Sequence, residues 1–356
     1  MRRLRYGIIG TGGVSGKHLS GYSSIGGEVE ICAACDLDEA RLKAAAEKYS
    51  IPATFTDYRE LLGVPGLDFV SVCLPNHLHA PVTVEALRRG ISVHCEKPMA
   101  LNAAEARSMM DARAESGKRL MVGLNNRFTP KSQYIKKYIA KGSLGEVYFA
   151  KAGWVRRKGL PREGWFCERE KSGGGAFIDL GVHFVDLVLY FLGYPKVRTV
   201  TADTYSKLGR PETYVAYSQL EPDAHPTFKY DVEEMATGYL QCDGGFNMAF
   251  EISWASNIER ERTFYEIYGT DGGVRYSSDM ASEDLAIYTR IGGQLADVVP
   301  RISKGGGPNL EFRQFAACVR DGTEPAIAPP EQAVEMMRVI DAVYESSRAR
   351  RQVVLG

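Results

Sequence analysis

The sequence predicts an α/β chain in two parts: a doubly wound parallel sheet, then an α+β part with a large, open, mainly antiparallel sheet. Three observations carry this. Short, almost wholly apolar runs alternate with amphipathic helical stretches over the first ~125 residues, the pattern of parallel strands covered on both faces. After Arg127 the strand-like runs lengthen and are punctuated by the hairpin signals Asp243-Gly244-Gly245 and Asp271-Gly272-Gly273. A length of 356 residues also suits two domains.

In the first part, strand-like runs fall at Tyr6–Ile9, Glu30–Cys35, Phe69–Leu74, Ser92–Cys95 and Leu120–Leu124. Helices are expected at Glu39–Tyr49, His79–Arg89 and Ala103–Ser116. In the second part, a helix at Ser132–Ala140 precedes the strand Val147–Val155. A glycine cluster, Gly173–Gly175, opens an apolar helix running to Leu192. Strands follow at Val197–Thr204, Glu233–Gln241, Phe246–Trp254 and Thr263–Tyr268, and helices near Asn309–Arg320 and Pro330–Arg348 close the chain. The expected division is 1–126 and 127–356, with the C-terminal helix free to pack back on the first domain.

Composition sets limits. Lys+Arg and Asp+Glu both number 44, so formal net charge is zero and gives no electrostatic reason to expect nucleic acid or a membrane surface as partner. No apolar run approaches the ~20 residues of a transmembrane span, and the N-terminus lacks a signal-peptide core. Seven cysteines, an odd count without paired spacing, suggest a reducing, cytoplasmic setting. Cys32 and Cys35 read as small core residues, because i and i+3 on a strand point to opposite faces.

The first strand leads into Gly10-Thr11-Gly12-Gly13-Val14-Ser15-Gly16. The first glycine allows a tight turn, and the second lets backbone approach a pyrophosphate seated on the next helix N-terminus. Ser15 stands where a third glycine or alanine is usual and is still small. The next strand ends at Asp36, placed to accept hydrogen bonds from ribose hydroxyls and to repel a 2′-phosphate. With Leu37 next and no basic residue beside it, NAD is favoured, with NADP possible. This is the layout of a Rossmann dinucleotide-binding domain over 1–126. The loop Leu74-Pro75-Asn76-His77 arrives at the carboxyl edge of the sheet, where such folds bind ligands. His77 and His79 have no further ligand nearby in sequence, so no metal is expected.

Two further constellations carry chemistry. Lys97, in Glu96-Lys97-Pro98, lies at the carboxyl end of a strand, where an ammonium can stabilise a developing alkoxide. Asp179 and His183 are i and i+4 on an otherwise apolar helix, so they share a face. Buried there, they require partners or a function. They are either a structural hydrogen-bonded pair or an acid–base pair that moves a hydroxyl proton. Asp186, one turn on, reads as structural. Arg157 and Trp165, in the loop from Gly159 to Phe166, and Arg127, after the last strand of the first domain, are candidates to hold a substrate ring and its hydroxyls.

Taken together, the glycine turn, the Pro75-Asn76 loop, Glu96-Lys97-Pro98 and the Gly-Gly-Gly run leading to Asp179 and His183 resemble the glucose–fructose oxidoreductase / inositol dehydrogenase / MocA family across almost the whole chain. The resemblance implies hydride transfer between a nicotinamide and a sugar, cyclic polyol or sugar derivative. Lys97, Asp179 and His183 would converge beside the nicotinamide. Cofactor contacts are expected from Gly10, Thr11, Gly12, Gly13, Val14, Asp36, Leu74, Pro75, Asn76, His77, Glu96 and Lys97. It also implies a homodimer or homotetramer. Two other classes share the fold: an NAD-recycling lyase or glycosidase without net redox change, and a ligand-sensing regulator. Lys97, Asp179 and His183 argue against the regulator.

Overall fold

The computed structural model describes residues 2–161, 164–209, 229–278, 285–302 and 309–356. The chain divides into two compact units, Met1–Phe128 with Lys304–Met337, and Thr129–Ser303 with Arg338–Gly356. A single cut at 126/127 does not describe this division. Residues 309–337 lie with the first unit because their aromatic side chains complete that unit's core.

The first unit contains β1 (Leu4–Ile9), α1 (Ser15–Ser23), β2 (Val29–Cys35), α2 (Glu39–Tyr49), β3 (Ala53–Phe55), α3 (Tyr58–Leu61), β4 (Phe69–Val72), α4 (His79–Arg88), β5 (Ser92–Cys95), α5 (Ala103–Ser116) and β6 (Leu120–Val122). The strands form one parallel sheet in the order β3-β2-β1-β4-β5-β6. The register pairs Ile9 with both Cys35 and Val72, and Val72 with Cys95. Gly10, Asp36, Cys73 and Glu96 therefore leave the sheet along one carboxyl edge. Below that edge an aromatic core joins Tyr6, Tyr22 and Phe69 to Phe312 and Phe315, with ring centroids 4.4–5.6 Å apart along the chain of contacts. Phe312 and Phe315 come from α9 (Leu310–Asp321), which is why this late helix is integral to the unit. All seven cysteines are free and buried, and the Cys32 thiol donates to the Tyr6 carbonyl at 3.4 Å.

The second unit contains α6 (Pro130–Ala140), β7 (Val147–Val155), α7 (Arg169–Ser172), a π-helical turn (Phe177–Gly181), α8 (Val182–Phe191), β8 (Val197–Tyr205), β9 (Met235–Cys242), β10 (Asn247–Ser253), β11 (Arg262–Gly269), β12 (Gly273–Ser277), β13 (Leu285–Ile291) and β14 (Gln294–Val298). The helix α10 (Pro330–Ala349) contributes its residues from Arg338 on, and β15 (Val353–Val354) ends the chain. Among the described residues the sheet has nine strands, β14-β13-β12-β11-β7-β10-β9-β8-β15, antiparallel except for β7 against β10. The glycine-rich hairpins join β9 to β10 and β11 to β12, and Gly244 and Gly245 adopt φ of 77° and 79°. One face of this sheet takes Trp154, Tyr265 and Tyr276 against Phe184 of α8. Contrary to the expectation of no such run, Arg169–Phe191 forms a helical stretch long and apolar enough to cross a membrane. It is 89% buried within the protein and serves as the core helix.

Candidate active site

The glycine turn follows β1 directly. Gly10 has φ of 93°, and a Cβ there would overlap the Cys73 carbonyl, so the close approach of β1 and β4 requires glycine. At Gly12 and Gly13 an added Cβ meets nothing within 4 Å, which leaves backbone open to a ligand. Ser15 is buried, and its hydroxyl donates to the Gly12 carbonyl at 2.6 Å. A small polar residue at this third position thus braces the turn. In the first turn of α1 the Ser15 and Lys17 amides donate to the Gly12 and Val14 carbonyls, both at 3.1 Å, and the positive end of the helix dipole at this turn suits a pyrophosphate.

Asp36 sits opposite the turn. Its Oδ2 accepts from the Thr11 amide (2.6 Å) and hydroxyl (2.9 Å), and its Oδ1 accepts from the Asp38 amide (2.8 Å). Burial pushes this carboxyl up, but those amide and hydroxyl bonds and Arg41 outweigh it and hold it below its ordinary value. Arg41 reaches Asp36 at 3.4 Å from the first turn of α2. It is therefore a basic neighbour that the reading of Leu37 alone missed, although its i+5 spacing across a helix N-cap was available as a signal.

The Leu74–His77 loop and the Lys97 loop are tied by one buried side chain. His79 places Nδ1 2.7 Å from the Pro98 carbonyl and Nε2 2.8 Å from the Leu74 carbonyl. Burial lowers its pKa, with both carbonyls opposing that shift. His79 is thus a strut between the two loops. Asn76 is buried, His77 is half-buried in a short 3₁₀ turn after Pro75, and Lys97 is half-buried. Glu96 points inward to His18 at 2.8 Å and also accepts the Lys97 amide at 3.1 Å.

In the second unit, Asp179 lies in the π-helical turn and His183 in the first turn of α8. The expected regular α-helix across both is replaced at Asp179 by wider i→i+5 turns, a feature frequent at functional sites. Asp179 Oδ2 accepts the Trp254 indole N–H at 2.8 Å. The His183 ring stands 5.7 Å from that of Trp154. Trp154 is itself fixed: its indole N–H donates to Glu261 at 2.9 Å, and the Arg156 guanidinium lies 4.7 Å from its ring.

The start of this helix explains the glycine run. Gly173 ends α7 with φ of 84°. A Cβ at Gly174 would overlap the Tyr344 hydroxyl, and one at Gly175 the Glu233 carbonyl. Buried Glu233 accepts from the Gly175 and Phe177 amides, both at 3.0 Å, and from the Tyr344 hydroxyl at 2.9 Å. Burial outweighs these bonds and raises its pKa. Neighbouring Glu234 is also buried; its carboxylate accepts from the Lys207 amide and, at 3.3 Å, the Gly209 amide. Sequence reasoning did not assign Trp254 or Glu233 to the site, and met Trp154 only as the strand end that leads, through Arg157, to the loop of Trp165. An acidic pair, Glu233-Glu234, opening an apolar strand was the available signal.

The remaining candidates are distributed otherwise. Arg127 is fully buried and donates to the Ile327 carbonyl (3.0 Å) and Gln332 (2.6 Å). It clamps the returning chain to the first unit, in place of the substrate contact expected. Arg157 is exposed and donates to the Glu259 carbonyl at 2.7 Å. Trp165 stacks on Phe166 with centroids 3.8 Å apart, while residues 162 and 163 of the same loop lie outside the described residues. Asp186 is buried and accepts from Tyr194 at 3.0 Å, a structural position. Lys97 belongs to the first unit, and Asp179 and His183 to the second.

Residues 4–124 match the oxidoreductase family described as an NAD-binding Rossmann fold, and residues 136–355 match the C-terminal alpha/beta domain of the same Gfo/Idh/MocA family. Among relatives, the chain is similar to D-glucoside 3-dehydrogenase of Escherichia coli (strain K12), with 32% identity over 99% of this chain and 97% of that one. Among solved structures, GenD2 from gentamicin A biosynthesis in complex with NAD is 25% identical with a TM-score of 0.81, covering 100% of this chain and 97% of that chain. Levoglucosan dehydrogenase in complex with NADH and L-sorbose has a TM-score of 0.85 at 21% identity, covering all of both chains, and shares the fold.

Proposed function

The chain belongs to the Gfo/Idh/MocA oxidoreductase family, an NAD-dependent dehydrogenase by that membership, and from this premise we propose that it oxidises a secondary hydroxyl of a D-glucoside or closely related sugar. The observation that carries the reading is the Asp179–Trp254 bond in the π-helical turn just before His183. Asp179 stands four residues before His183 in one apolar helical stretch, with an indole fixing the carboxylate.

NAD fits the first unit. The open backbone at Gly12 and Gly13 and the start of α1 receive the pyrophosphate, with Thr11 and Val14 completing the turn. Asp36, kept ionised, receives the ribose hydroxyls and favours NAD over NADP. Leu74, Pro75, Asn76, His77, Glu96 and Lys97 border the same carboxyl edge. Bound NAD supplies the hydride acceptor. In this reading His183 removes the hydroxyl proton, Lys97 holds the oxygen as negative charge develops, and Asp179 orients the substrate or His183.

The sheet face away from α8 is the proposed surface for a homodimer or homotetramer. Phe149 lies between Tyr239 and Tyr268 there, with centroids 6.4 and 5.8 Å away, flanked by the Lys151–Glu266 pair. A monomer mass by light scattering would contradict this.

The test of function is absorbance at the reduced-nicotinamide band with NAD and a panel of glucosides, free aldoses, inositols and anhydrosugars. The expected result is turnover with glucosides, and a product ketone at a ring carbon. NAD binding with no signal from any sugar would reject the dehydrogenase reading in favour of a redox-neutral reaction, detected by product analysis.

A further inference from the structure

The carboxyl edge that carries Lys97 rests on charged and polar side chains sealed from solvent. His18 and His94 are fully buried, and Glu96 and Glu311 are 5% and 4% exposed. Their surroundings are the aromatic core of Tyr6, Tyr22, Phe69, Phe312 and Phe315. In such surroundings each polar group must be partnered or it destabilises the fold.

The hydrogen bonds run in a defined direction. An ionised carboxylate only accepts, so His18 Nε2 carries the proton in its 2.8 Å bond to Glu96 Oε1. His18 Nδ1 meets the Ser71 hydroxyl of β4 at 2.8 Å. Glu96 Oε2 takes the backbone N–H of Lys97 at 3.1 Å. Beside them, His94 Nδ1 meets the Tyr22 hydroxyl at 2.8 Å, and Lys17 pairs with Glu311 at 3.2 Å. His18 lies on α1, one turn after the glycine loop. One imidazole therefore joins three pieces of chain: the helix behind the glycine turn, strand β4, and the turn that presents Lys97.

We propose that His18 is a positioning residue for Lys97. By holding Glu96 it fixes the Lys97 backbone relative to α1, so that the dinucleotide helix and the lysine keep one geometry. A buried polar contact of this kind is weak as a source of stability against an apolar replacement. What this one supplies is direction, because the second oxygen of Glu96 ends on the Lys97 amide. The catalytic consequence rests on the reading of Lys97 as an acting group; the contact itself does not.

Two variants separate direction from bulk. In His18→Asn the amide reaches the Nδ1 position and Ser71 but falls short of Glu96. In His18→Gln the amide nitrogen reaches the Nε2 position and restores the donor. Amide hydrogen exchange at Lys97 is read on the NAD-free protein. Turnover is read with saturating NAD and sugar, and NAD affinity by calorimetry. The expectation for His18→Asn is exchange at Lys97 faster by about 10-fold and kcat lower by roughly 10- to 100-fold, the usual scale for a misplaced reacting group, with NAD affinity within about twofold. His18→Gln should return both toward wild type.

Should His18→Asn fail to fold, Glu96→Met, which approximates the length but offers the Lys97 amide no oxygen acceptor, should give the same faster Lys97 exchange and lower kcat. Unchanged Lys97 exchange in these variants would overturn the proposal. So would equal losses of kcat and NAD affinity in both His18→Asn and His18→Gln, the mark of general loosening. Lys97→Met distinguishes the underlying reading: unchanged turnover there removes Lys97 from the chemistry and the catalytic half of the proposal with it.

Discussion

Glu96 in the first unit and Glu233 in the second are both buried carboxylates set against residues assigned to the chemistry, Lys97 for one and the helix of Asp179 and His183 for the other. Their surroundings differ. Burial raises both, but at Glu96 the hydrogen bond and charge of His18, with Lys17 and Lys97, prevail and hold the carboxyl well below its ordinary 4.5. Glu311, which pairs with Lys17 and faces His94, is likewise held low. Glu233 meets two amides and a phenol, and burial prevails, so its pKa is raised. Amides at a helix start satisfy the oxygens without neutralising their charge, whereas a cationic partner keeps the acid ionised.

Acid should break this comparison most visibly. Glu96 and Glu311 have depressed folded pKa values, so their stabilisation is fully present above the ordinary 4.5 and is lost as pH falls from there toward the folded values. Glu233 has the opposite sign: its contribution is full below 4.5 and declines as pH rises through its elevated value. Hydrogen exchange between pH 7 and 3 should therefore show β4 and β5 losing protection before β9 and β10. Simultaneous loss would mean that these carboxylates do not control either unit.

Gly175→Ala should follow in size. Its Cβ would overlap backbone that cannot move aside, and destabilisation of about 3 kcal/mol is expected in denaturant titration, the upper end for overpacking. Trp254→Phe deletes the donor to Asp179 and leaves a small cavity where the fully buried indole stood; kcat should drop about 10-fold, with the melting temperature lowered as well. The smallest effect is selectivity. Asp36→Ala should weaken NAD a few-fold and narrow the margin over NADP, with Arg41 left free of its Asp36 partner to meet a 2′-phosphate. An unchanged NAD/NADP ratio would remove Asp36 from ribose recognition.

The same contrast marks what the sequence could disclose. In the first unit the site is built from consecutive pieces: strand, glycine turn and strand-end acid lie within one βαβ stretch, and local periodicity and turn chemistry expose them. The elements that did not register, β3 and α3, are three and four residues long, too short for a periodic pattern. In the second unit the groups that hold the site come from far along the chain. Trp254 is 75 residues from Asp179, and Glu233 is 56 and 58 from the amides that it binds. No local pattern encodes such pairs, nor the π-helical turn that they hold. Arg127 is the same lesson in the first unit. Its partners lie 200 and 205 residues away, so a buried clamp looked like a free cation at a strand end.

The central claim is that His183 is the base of an NAD-dependent sugar dehydrogenase. The most direct measurement is the turnover of His183→Ala beside its NAD affinity, on the same preparation. The account predicts kcat lower by ~100-fold or more at neutral pH, the scale of general-base loss, with NAD affinity unchanged. Wild-type turnover in the variant would contradict it.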